Sequence, residues 1–219
     1  HTAYRRQRQM CIRDRQMIKL ITFDCYGTLV DTAPFYEAAG EIGVQHQIDR
    51  GLFQKAFELY EDRMMYGEYF MPYEQVIEQA LRYCAHDFNY EYDNADLTQL
   101  LTVQANLKVF PEVIDFLKTM KAKGIQLGIM TDASLPILKQ NLAQIPVEFD
   151  YLYTSDQLNC YKPTLNFFGQ VADQLTATNE EHLHIAAGYW WDIIPCQRLN
   201  WQRIWVNRKQ AQALSLIHI

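Results

Sequence analysis

Five short apolar runs, each closing on small or polar residues, are the feature that most constrains the fold of this chain. Helical patterns separate most of them, and buried strands that alternate with helices are typical of a parallel sheet covered on both faces. The runs are IKLITFD (18–24), QLGIMTD (126–132), DYLYTS (150–155), HLHIAAG (182–188) and RIWVN (203–207). The pattern predicts an α/β protein with an open, doubly wound parallel sheet of the Rossmann type.

A long helical stretch interrupts this alternation after the first run. The residues between that run and the segment PEVIDFLKTMKAKG (111–124) have an almost wholly helical pattern, as in LFQKAFELYEDRMM (52–65). At about 75 residues the stretch is too long for an ordinary connection between a strand and a helix. We therefore expect an inserted all-helical cap over residues 33–105 and a core built from residues 17–32 and 106–212.

Both ends of the chain differ in character from its middle. Residues 1–16 carry five Arg against one Asp, and the strings MCIRDR near the start and LSLIHI at the end resemble translated sequencing-adapter read-through. We therefore predict that residues 1–16 and 213–219 are a non-native leader and tail, and that Met17 is the natural start. The alternative is a genuine basic arm at the N-terminus.

Charge and cysteine content narrow the classes of function. The formal charge is -6 even with the basic start included, so the body of the chain is acidic and nucleic acid is not the expected partner. No run approaches the ~18 apolar residues of a membrane span. Five cysteines without a C-x-x-C pair fit reduced thiols in the cytoplasm better than a disulfide framework. The sequence predicts a soluble cytoplasmic protein and leaves its oligomeric state open.

The residues that close the predicted strands are the candidates for a functional site. Open α/β sheets bind ligands at the carboxyl ends of their strands. The first run ends in Asp24 and the second in Thr131 and Asp132, while Lys162 follows the third run and Asp192 the fourth. We expect these five side chains at one edge of the sheet.

These residue types together suggest nucleophilic chemistry. A positioned carboxylate is a competent nucleophile, and Asp24 precedes a Gly-Thr turn that can aim it at a substrate. Lys162 would hold Asp24 anionic. Thr28 and Thr131 can donate hydrogen bonds to a substrate carboxylate or phosphate. Asp192 can orient Lys162, activate a water or ligate a metal.

Simpler explanations stay open for several residues. An acid ahead of the string IIP can cap a helix that starts near Trp191, and Asp192 would then be a capping residue. Thr131 and Asp132 can serve only to satisfy backbone groups at the end of a strand. The pair Trp190 and Trp191 fits core packing better than a wall of the substrate site.

Four strings carry a resemblance to a known family. In the order FDCYGTLVD, MTDAS, YKPTLNFF and HIAAGYWWDI, and with a helical insertion after the first, they resemble the four motifs of the haloacid dehalogenase superfamily. The resemblance covers nearly all of residues 17–207. Phosphatases of the superfamily carry a second acid two residues after the first one, and this chain has Tyr26 there. In this respect the chain is most similar to the 2-haloacid dehalogenase branch.

The resemblance implies a hydrolase in which Asp24 displaces a halide from a small anionic substrate and forms an ester that water hydrolyses. No metal or other cofactor is implied as a requirement. The implied catalytic residues are Asp24, Lys162 and Asp192, and the implied substrate-binding residues are Tyr26, Thr28, Thr131, Asp132, Gln54 and Tyr189. If the cap aligns without insertions between residues 53 and 82, Gln54 falls where the family has an arginine that cradles the halide, and the neighbouring Lys55 is the alternative. In the fourth motif Ala187 and Tyr189 stand where the family has a serine and an asparagine.

Two alternatives to a dehalogenase follow from the same residues. The first is a Mg²⁺-dependent small-molecule phosphatase of the superfamily, in which Asp24, the backbone carbonyl of Tyr26 and Asp192 would bind the ion. The second is a non-catalytic or weakly active member that binds an anion. His182 and His184 would share one strand face, but no third ligand accompanies them to make a metal site.

Overall fold

The computed structural model of this chain describes residues 17–67 and 69–211. The predicted leader (1–16) and tail (213–219) lie outside the described residues. Within them, strands alternate with helices along the core segments, as the apolar runs predict. The predicted fold class, a doubly wound parallel sheet with an inserted helical cap, is confirmed.

Five parallel strands form the central sheet in the spatial order β3-β2-β1-β4-β5. Their bounds are β1 (Leu20–Phe23), β2 (Gln126–Thr131), β3 (Tyr151–Thr154), β4 (His182–Ala186) and β5 (Gln202–Trp205). The chain moves outward from β1 to β2 and β3, and then crosses back to place β4 on the other side of β1. Sheets of this kind bind ligands beyond the carboxyl ends of the strands where the direction reverses. Here that place lies between β1 and β4.

The core segments also contribute helices, which flank the sheet. They are α5 (Val113–Ala122), α6 (Leu135–Leu142), α7 (Ser155–Leu158), α8 (Leu165–Ala172) and α9 (Ile194–Arg198), and a π-helical turn (Tyr189–Ile193) precedes α9. All four residues of β1 are buried, in agreement with a strand covered on both faces.

Between β1 and α5, the regular secondary structure of the described residues is entirely helical. It forms α1 (Ala33–Gln45), α2 (Arg50–Met65), α3 (Tyr73–Phe88) and α4 (Asn94–Gln104). This confirms an inserted all-helical cap, while its limits at residues 33 and 105 stay a prediction. Phe35, Phe53 and Phe57 contribute fully buried rings to an apolar core that is continuous with that of the sheet.

Close packing of α1 on α2 depends on a residue without a side chain. A Cβ atom added to Gly43 would lie 2.5 Å from the Cβ of Phe53 and 2.8 Å from its Cγ. Phe53 is fully buried, so it has no free space into which to retreat. The two helices can therefore keep their present separation only with glycine at this position.

We expect Gly43→Ala to lower the free energy of unfolding by about 1–3 kcal/mol, because the new methyl group overpacks the contact between α1 and α2. Gly169→Ala in α8 is the matched control, since a Cβ there meets no atom within 4 Å. The control should raise stability by about 0.5–1 kcal/mol through helix propensity. Urea unfolding of both variants measures the two effects. A Gly43→Ala protein as stable as the unchanged chain would show that the two helices separate without cost.

One acidic side chain is buried inside the cap. Glu61 of α2 accepts a hydrogen bond of 2.6 Å from the hydroxyl of Tyr73 in α3. Burial raises the pKa of Glu61 to about 7, while hydrogen bonds from Tyr73 and Tyr36 act to lower it and the nearby Glu58 and Asp62 act to raise it. With a raised pKa, a larger fraction of the folded protein has this carboxyl group in its neutral form at a given pH.

We expect Glu61 to make the protein less stable as the pH rises from about 4.5 to about 7. In this interval the folded state binds more protons at Glu61 than the unfolded state does, so the free energy of unfolding falls with increasing pH. Glu61→Gln removes this contribution, and its stability should decline less between pH 5 and pH 7. Urea unfolding of both proteins at the two pH values is the measurement. Parallel pH dependences would contradict the raised pKa.

Two further features concern membrane-spanning helices and the cysteines. Among the residues that the structure describes, no helix is both long enough and apolar enough to cross a membrane. The four described cysteines, Cys25, Cys84, Cys160 and Cys196, are all unpaired. Free thiols are the usual state of cysteine in a reducing environment.

Candidate active site

The carboxylate of Asp24 lies directly beyond the end of β1 and is almost completely buried. Thr28 donates a hydrogen bond of 2.6 Å to Oδ2 of Asp24, and the hydroxyl oxygen of Thr28 accepts one of 2.8 Å from the backbone N–H of Ala187. Gly27 between them has φ +83°, a left-handed conformation that suits glycine. The turn therefore aims Thr28 back at Asp24, as the Gly-Thr pair predicts.

Lys162 joins the two carboxylates of the predicted catalytic set. Its Nζ lies 2.8 Å from Oδ1 of Asp24 and 2.8 Å from Oδ1 of Asp192, and its side chain is 2% exposed. Burial acts to lower the pKa of Lys162, but the carboxylates of Asp192, Asp24 and Asp132 raise it above its ordinary value. Lys162 is therefore a buried cation shared by two strand ends.

The two carboxylates respond differently to the same ammonium group. Burial raises the pKa of Asp24, and Lys162 and the hydroxyl of Thr28 act in the opposite direction. Burial also acts to raise the pKa of Asp192, but Lys162 and a hydrogen bond from His184 bring it below its ordinary value. Oδ1 of Asp192 therefore has two close polar contacts, Lys162 and His184, and its carboxylate is a fixed partner for the ammonium group of Lys162.

Asp192 is not a helix-capping residue, so that alternative is wrong. It lies within the π-helical turn, it is 1% exposed, and its Oδ1 is 3.2 Å from Nε2 of His184 as well as 2.8 Å from Lys162. A Cβ atom at Gly188 would lie 2.5 Å from Oδ2 of Asp192. The small residue four places before Asp192 therefore leaves room for its carboxylate.

Thr131 and Asp132 have contacts that fit the simpler explanation. Oδ1 of Asp132 accepts a hydrogen bond of 2.8 Å from the backbone N–H of Lys162, and the hydroxyl oxygen of Thr131 accepts one of 3.2 Å from Ala133. Burial raises the pKa of Asp132 to about 7, although Lys162 acts to lower it. Both residues therefore organise backbone groups beside Lys162, and a contact with substrate stays a prediction.

The structure places the three remaining predicted site residues in different surroundings. The hydroxyl oxygen of Tyr26 accepts a hydrogen bond of 3.1 Å from the Asn141 amide, and burial raises the pKa of Tyr26 far above its ordinary value. The ring of Tyr189 meets that of Trp205 edge to face at 4.8 Å. Gln54 donates to Glu58 one turn along α2 at 2.8 Å. Of these three residues, Tyr26 is the one that stands close to Asp24 in the sequence, two positions after it.

The prediction that Trp190 and Trp191 pack in the core is wrong. Their side chains are 53% and 38% exposed. They lie beside Tyr66, which follows the last residue of α2 in the cap: burial raises the pKa of Tyr66 to about 12, and hydrogen bonds from the two indole groups act to lower it. The pair therefore meets the cap at the edge of the site, immediately before Asp192 in the chain.

Sequence reasoning missed two polar residues behind the site. His184 contacts Asp192 directly, and the hydroxyl of Thr22 lies 2.8 Å from Nδ1 of His184 and 2.7 Å from Nε2 of His182. The alternation in HLH places both histidines on one strand face, and this is confirmed. Alternation in β1 likewise puts Thr22 on the strand face of Asp24, but it does not show that this residue meets the two histidines of β4.

The described residues offer limited means for binding a metal. Among residues 17–67 and 69–211, no three His, Cys, Asp or Glu side chains form a group suited to holding an ion. Mg²⁺ is often held by one or two carboxylates together with water and phosphate oxygens, so Asp24, Asp192 and the carbonyl of Tyr26 have suitable chemistry. One oxygen of each carboxylate already accepts from Lys162.

We expect Lys162→Met to lower the free energy of unfolding by about 3–5 kcal/mol at pH 7.5, because it leaves two carboxylates buried without their shared cation. The loss should be smaller at pH 5, where the carboxyl groups more easily take up protons in the folded state. The control is Lys121→Met, which breaks a partly exposed ion pair with Asp150 and should cost about 1 kcal/mol or less. Urea unfolding at both pH values is the measurement, and equal losses in the two variants would contradict the buried ion pair.

Comparison with known proteins gives one family. A family model described as haloacid dehalogenase-like hydrolase matches residues 18–200. The chain is 28% identical over 200 residues to the (S)-2-haloacid dehalogenase H-109 of Pseudomonas putida, with 90% of this chain and 88% of that protein covered. It is 27% identical over 198 residues to the glyceraldehyde 3-phosphate phosphatase of Methanocaldococcus jannaschii, with 84% and 82% covered.

A solved structure shows the same fold. It is the L-2-haloacid dehalogenase from Xanthobacter autotrophicus with chloropropionic acid covalently bound, which matches with a TM-score of 0.72 at 19% identity and covers 88% of this chain and 78% of that one. The family match extends from the first strand to the residues after α9, and so includes the cap and all four site segments. The chain therefore belongs to the family of haloacid dehalogenase-like hydrolases.

Proposed function

We propose that this protein is a 2-haloacid dehalogenase-like hydrolase in which Asp24 forms a covalent ester with a small halogenated acid. The observation that carries the proposal is the setting of Asp24. One of its oxygens is held by Lys162 at 2.8 Å and the other by Thr28 at 2.6 Å, and the residue two places on is a tyrosine rather than an acid. This arrangement orients a carboxylate and has no acidic side chain at the second position after it.

The proposed reaction has two steps. An oxygen of Asp24 attacks the carbon that bears the halogen, the carbon–halogen bond breaks, and the halide leaves with the bonding electrons. Water then adds to the carbonyl carbon of the resulting ester, and the bond breaks between that carbon and the former Asp24 oxygen that links it to the substrate carbon. The products are a hydroxy acid, a halide ion and a proton, and Asp24 returns to its carboxylate form.

Tyr26 fits this chemistry better than it fits phosphoryl transfer. An alkoxide leaving group needs a proton, and a positioned acid that supplies one contributes roughly 100- to 10,000-fold to the rate. The phenol of Tyr26 is a poor acid because burial raises its pKa. A halide leaves without a proton, so this deficiency does not slow the proposed first step.

Two relatives support a halogenated substrate. The relative from Pseudomonas putida is named for (S)-2-haloacids, and the structure from Xanthobacter autotrophicus has chloropropionic acid covalently bound. We extend the small halogenated acid to this chain as the proposed substrate, with Tyr26, Thr28, Thr131, Asp132, Gln54 and Tyr189 as its proposed contacts. A cytoplasmic location completes the proposal.

A Mg²⁺-dependent phosphatase is the second candidate. It is favoured by the 27% identity to a protein named glyceraldehyde 3-phosphate phosphatase. In this case Asp24, the carbonyl of Tyr26 and Asp192 would hold the ion, which would neutralise charge on the phosphate. Lys162 would bind between the same two carboxylates as it does now, and Asp24 would remain the nucleophile.

We expect halide release from one enantiomer of 2-chloropropionate in excess EDTA, because Asp24 needs no metal to attack carbon. Asp24→Asn should abolish the release, since a neutral amide is a far weaker nucleophile. Asp115→Asn is the matched control, because it makes the same change at an exposed position of α5 and should keep full activity. Circular dichroism of both variants checks that the fold is kept.

The same proteins are tested in parallel with p-nitrophenyl phosphate and Mg²⁺. Phosphate release without halide release would replace the dehalogenase by the phosphatase. Silence with both substrates would favour another substrate or the non-catalytic alternative. Halide release that survives Asp24→Asn would remove Asp24 as the nucleophile.

The ester itself is tested by one turnover in H₂¹⁸O with enzyme in excess over substrate. The product of the first turnover should contain unlabelled oxygen from Asp24, and the peptide that contains Asp24 should gain one ¹⁸O. Mass spectrometry of both measures this. Label in the product of the first turnover would mean that water attacks the substrate carbon directly.

A further inference from the structure

A continuous chain of buried polar contacts runs from the interior of the sheet to Lys162. It begins at Nε2 of His182, which lies 2.7 Å from the hydroxyl oxygen of Thr22, and continues from that oxygen to Nδ1 of His184 at 2.8 Å. Nε2 of His184 lies 3.2 Å from Oδ1 of Asp192, which accepts from Lys162 at 2.8 Å. Four of these five residues are at most 1% exposed, and Lys162 is 2% exposed.

The strand register explains how residues so distant in sequence meet. Thr22 of β1 and His184 of β4 are direct partners in the parallel ladder, and His182 stands two residues before His184 on the same face. Aromatic rings cover this face. The ring centroid of Trp201 lies 4.6 Å from that of His182, and the ring centroid of Phe168 in α8 lies 6.5 Å from that of His184. These surroundings are apolar, so each polar atom in the series of contacts depends on the next one for its hydrogen-bond partner.

The proton on each group can be assigned from the far end of this chain. Nδ1 of His182 is buried and has no hydrogen-bond partner. A buried N–H without an acceptor is costly, whereas a bare ring nitrogen is less so, and therefore the proton of His182 belongs on Nε2. Burial lowers the pKa of His182 to about 3, in agreement with a neutral ring that carries a single proton.

The remaining protons follow in order. Because His182 donates to Thr22, the hydroxyl proton of Thr22 points to its other contact, Nδ1 of His184. Nδ1 of His184 is then an acceptor, and the single proton of that neutral ring lies on Nε2, facing Asp192. From His182 to Asp192, each donor has an acceptor in this arrangement, and the hydrogen bonds all run in one direction.

We propose that Thr22 and His184 are positioning residues for the catalytic carboxylates, and that they act by fixing the His184 tautomer that donates to Asp192. Oδ1 of Asp192 then receives two donors from different directions, Lys162 and His184. Its carboxylate cannot rotate without losing one of them. Lys162 is held in turn, and with it the 2.8 Å contact to Asp24.

The direct test is the tautomer of each histidine, read from two-bond ¹H–¹⁵N correlation spectra of the full chain at neutral pH. We expect the proton on Nε2 in both His182 and His184. The variants His182→Gln and His184→Gln assign the signals, and contacts between His182 and the ring of Trp201 give an independent assignment if a variant does not fold. A proton on Nδ1 of either ring, or a doubly protonated His184, would overturn the proposal. This test needs no substrate, so it stands whatever the outcome for the proposed function.

The kinetic test rests on the proposed function and uses halide release. Thr22→Val keeps the shape of the side chain but removes the hydroxyl, and we expect kcat to fall about tenfold with KM within twofold, because the lost hydrogen bond acts on the chemical step. Thr22→Ser keeps the hydroxyl and should restore kcat to within about threefold of that of the unchanged protein. Equal kcat values in Thr22→Val and the unchanged protein, or a rise in KM alone, would contradict a positioning role. A common fall in both variants that follows their thermal stability would indicate a structural role only.

Discussion

The buried ammonium group of Lys162 is the interaction on which the site depends. Three segments supply its acidic partners: the end of β1 with Asp24, the end of β2 with Asp132 and the turn after β4 with Asp192. Lys162 itself comes from the loop after α7. An isolated charge inside a protein is expensive, and so is a pair of neighbouring carboxylates without a cation. Each member of the group therefore stabilises the buried position of the others. The order of the strands makes this possible, because it brings the ends of β1 and β4 side by side.

The site carries more acidic groups than basic ones in the described part of the chain. Lys162 faces Asp24, Asp192 and Asp132, and the acidic side chain of Glu74 reaches the core from the cap through a contact with Ser134. At the position where the resemblance puts an arginine, Gln54 bonds to Glu58 within its own helix. An anionic substrate would therefore be held here by hydrogen-bond donors rather than by an excess of positive charge. This is the chief way in which the electrostatics of the chain depart from what the resemblance implies.

The fold could be predicted because buried parallel strands leave a strong local signal. Four of the five apolar runs contain the observed strand, and β5 begins one residue before the fifth run, with every strand end within two residues of the end of its run. The position of Lys162 beside Asp24 and Asp192 follows from the rule that ligand-binding residues gather at the carboxyl ends of the strands. Trp190 and Trp191 could not be placed, because the π-helical turn that exposes them has no pattern in the sequence. Asp192 was ambiguous for a related reason, since a helix cap and a buried ligand of lysine have the same local sequence.

The role of His184 could not be predicted from the sequence, for a different reason. It depends on Thr22, which lies 162 positions away and is its neighbour only through strand pairing. Residue spacing shows that two histidines share a face, but it does not show which side chain of the next strand faces them. The residues that contact a ligand can be recognised by their chemistry, whereas those that hold them in place are visible only in the packed structure.

A short series of contacts connects the cap to the buried ion pair of Lys162 and Asp24. The hydroxyl of Tyr161 donates a hydrogen bond of 2.6 Å to the backbone carbonyl of Met71, and its ring packs 5.3 Å from that of Phe70, both in the segment between α2 and α3. Tyr161 is the residue immediately before Lys162. The contacts that Tyr161 makes with the cap and the contact of Lys162 with Asp24 are therefore separated by a single peptide bond, so the placement of the cap and the placement of this buried cation depend on the same short piece of backbone.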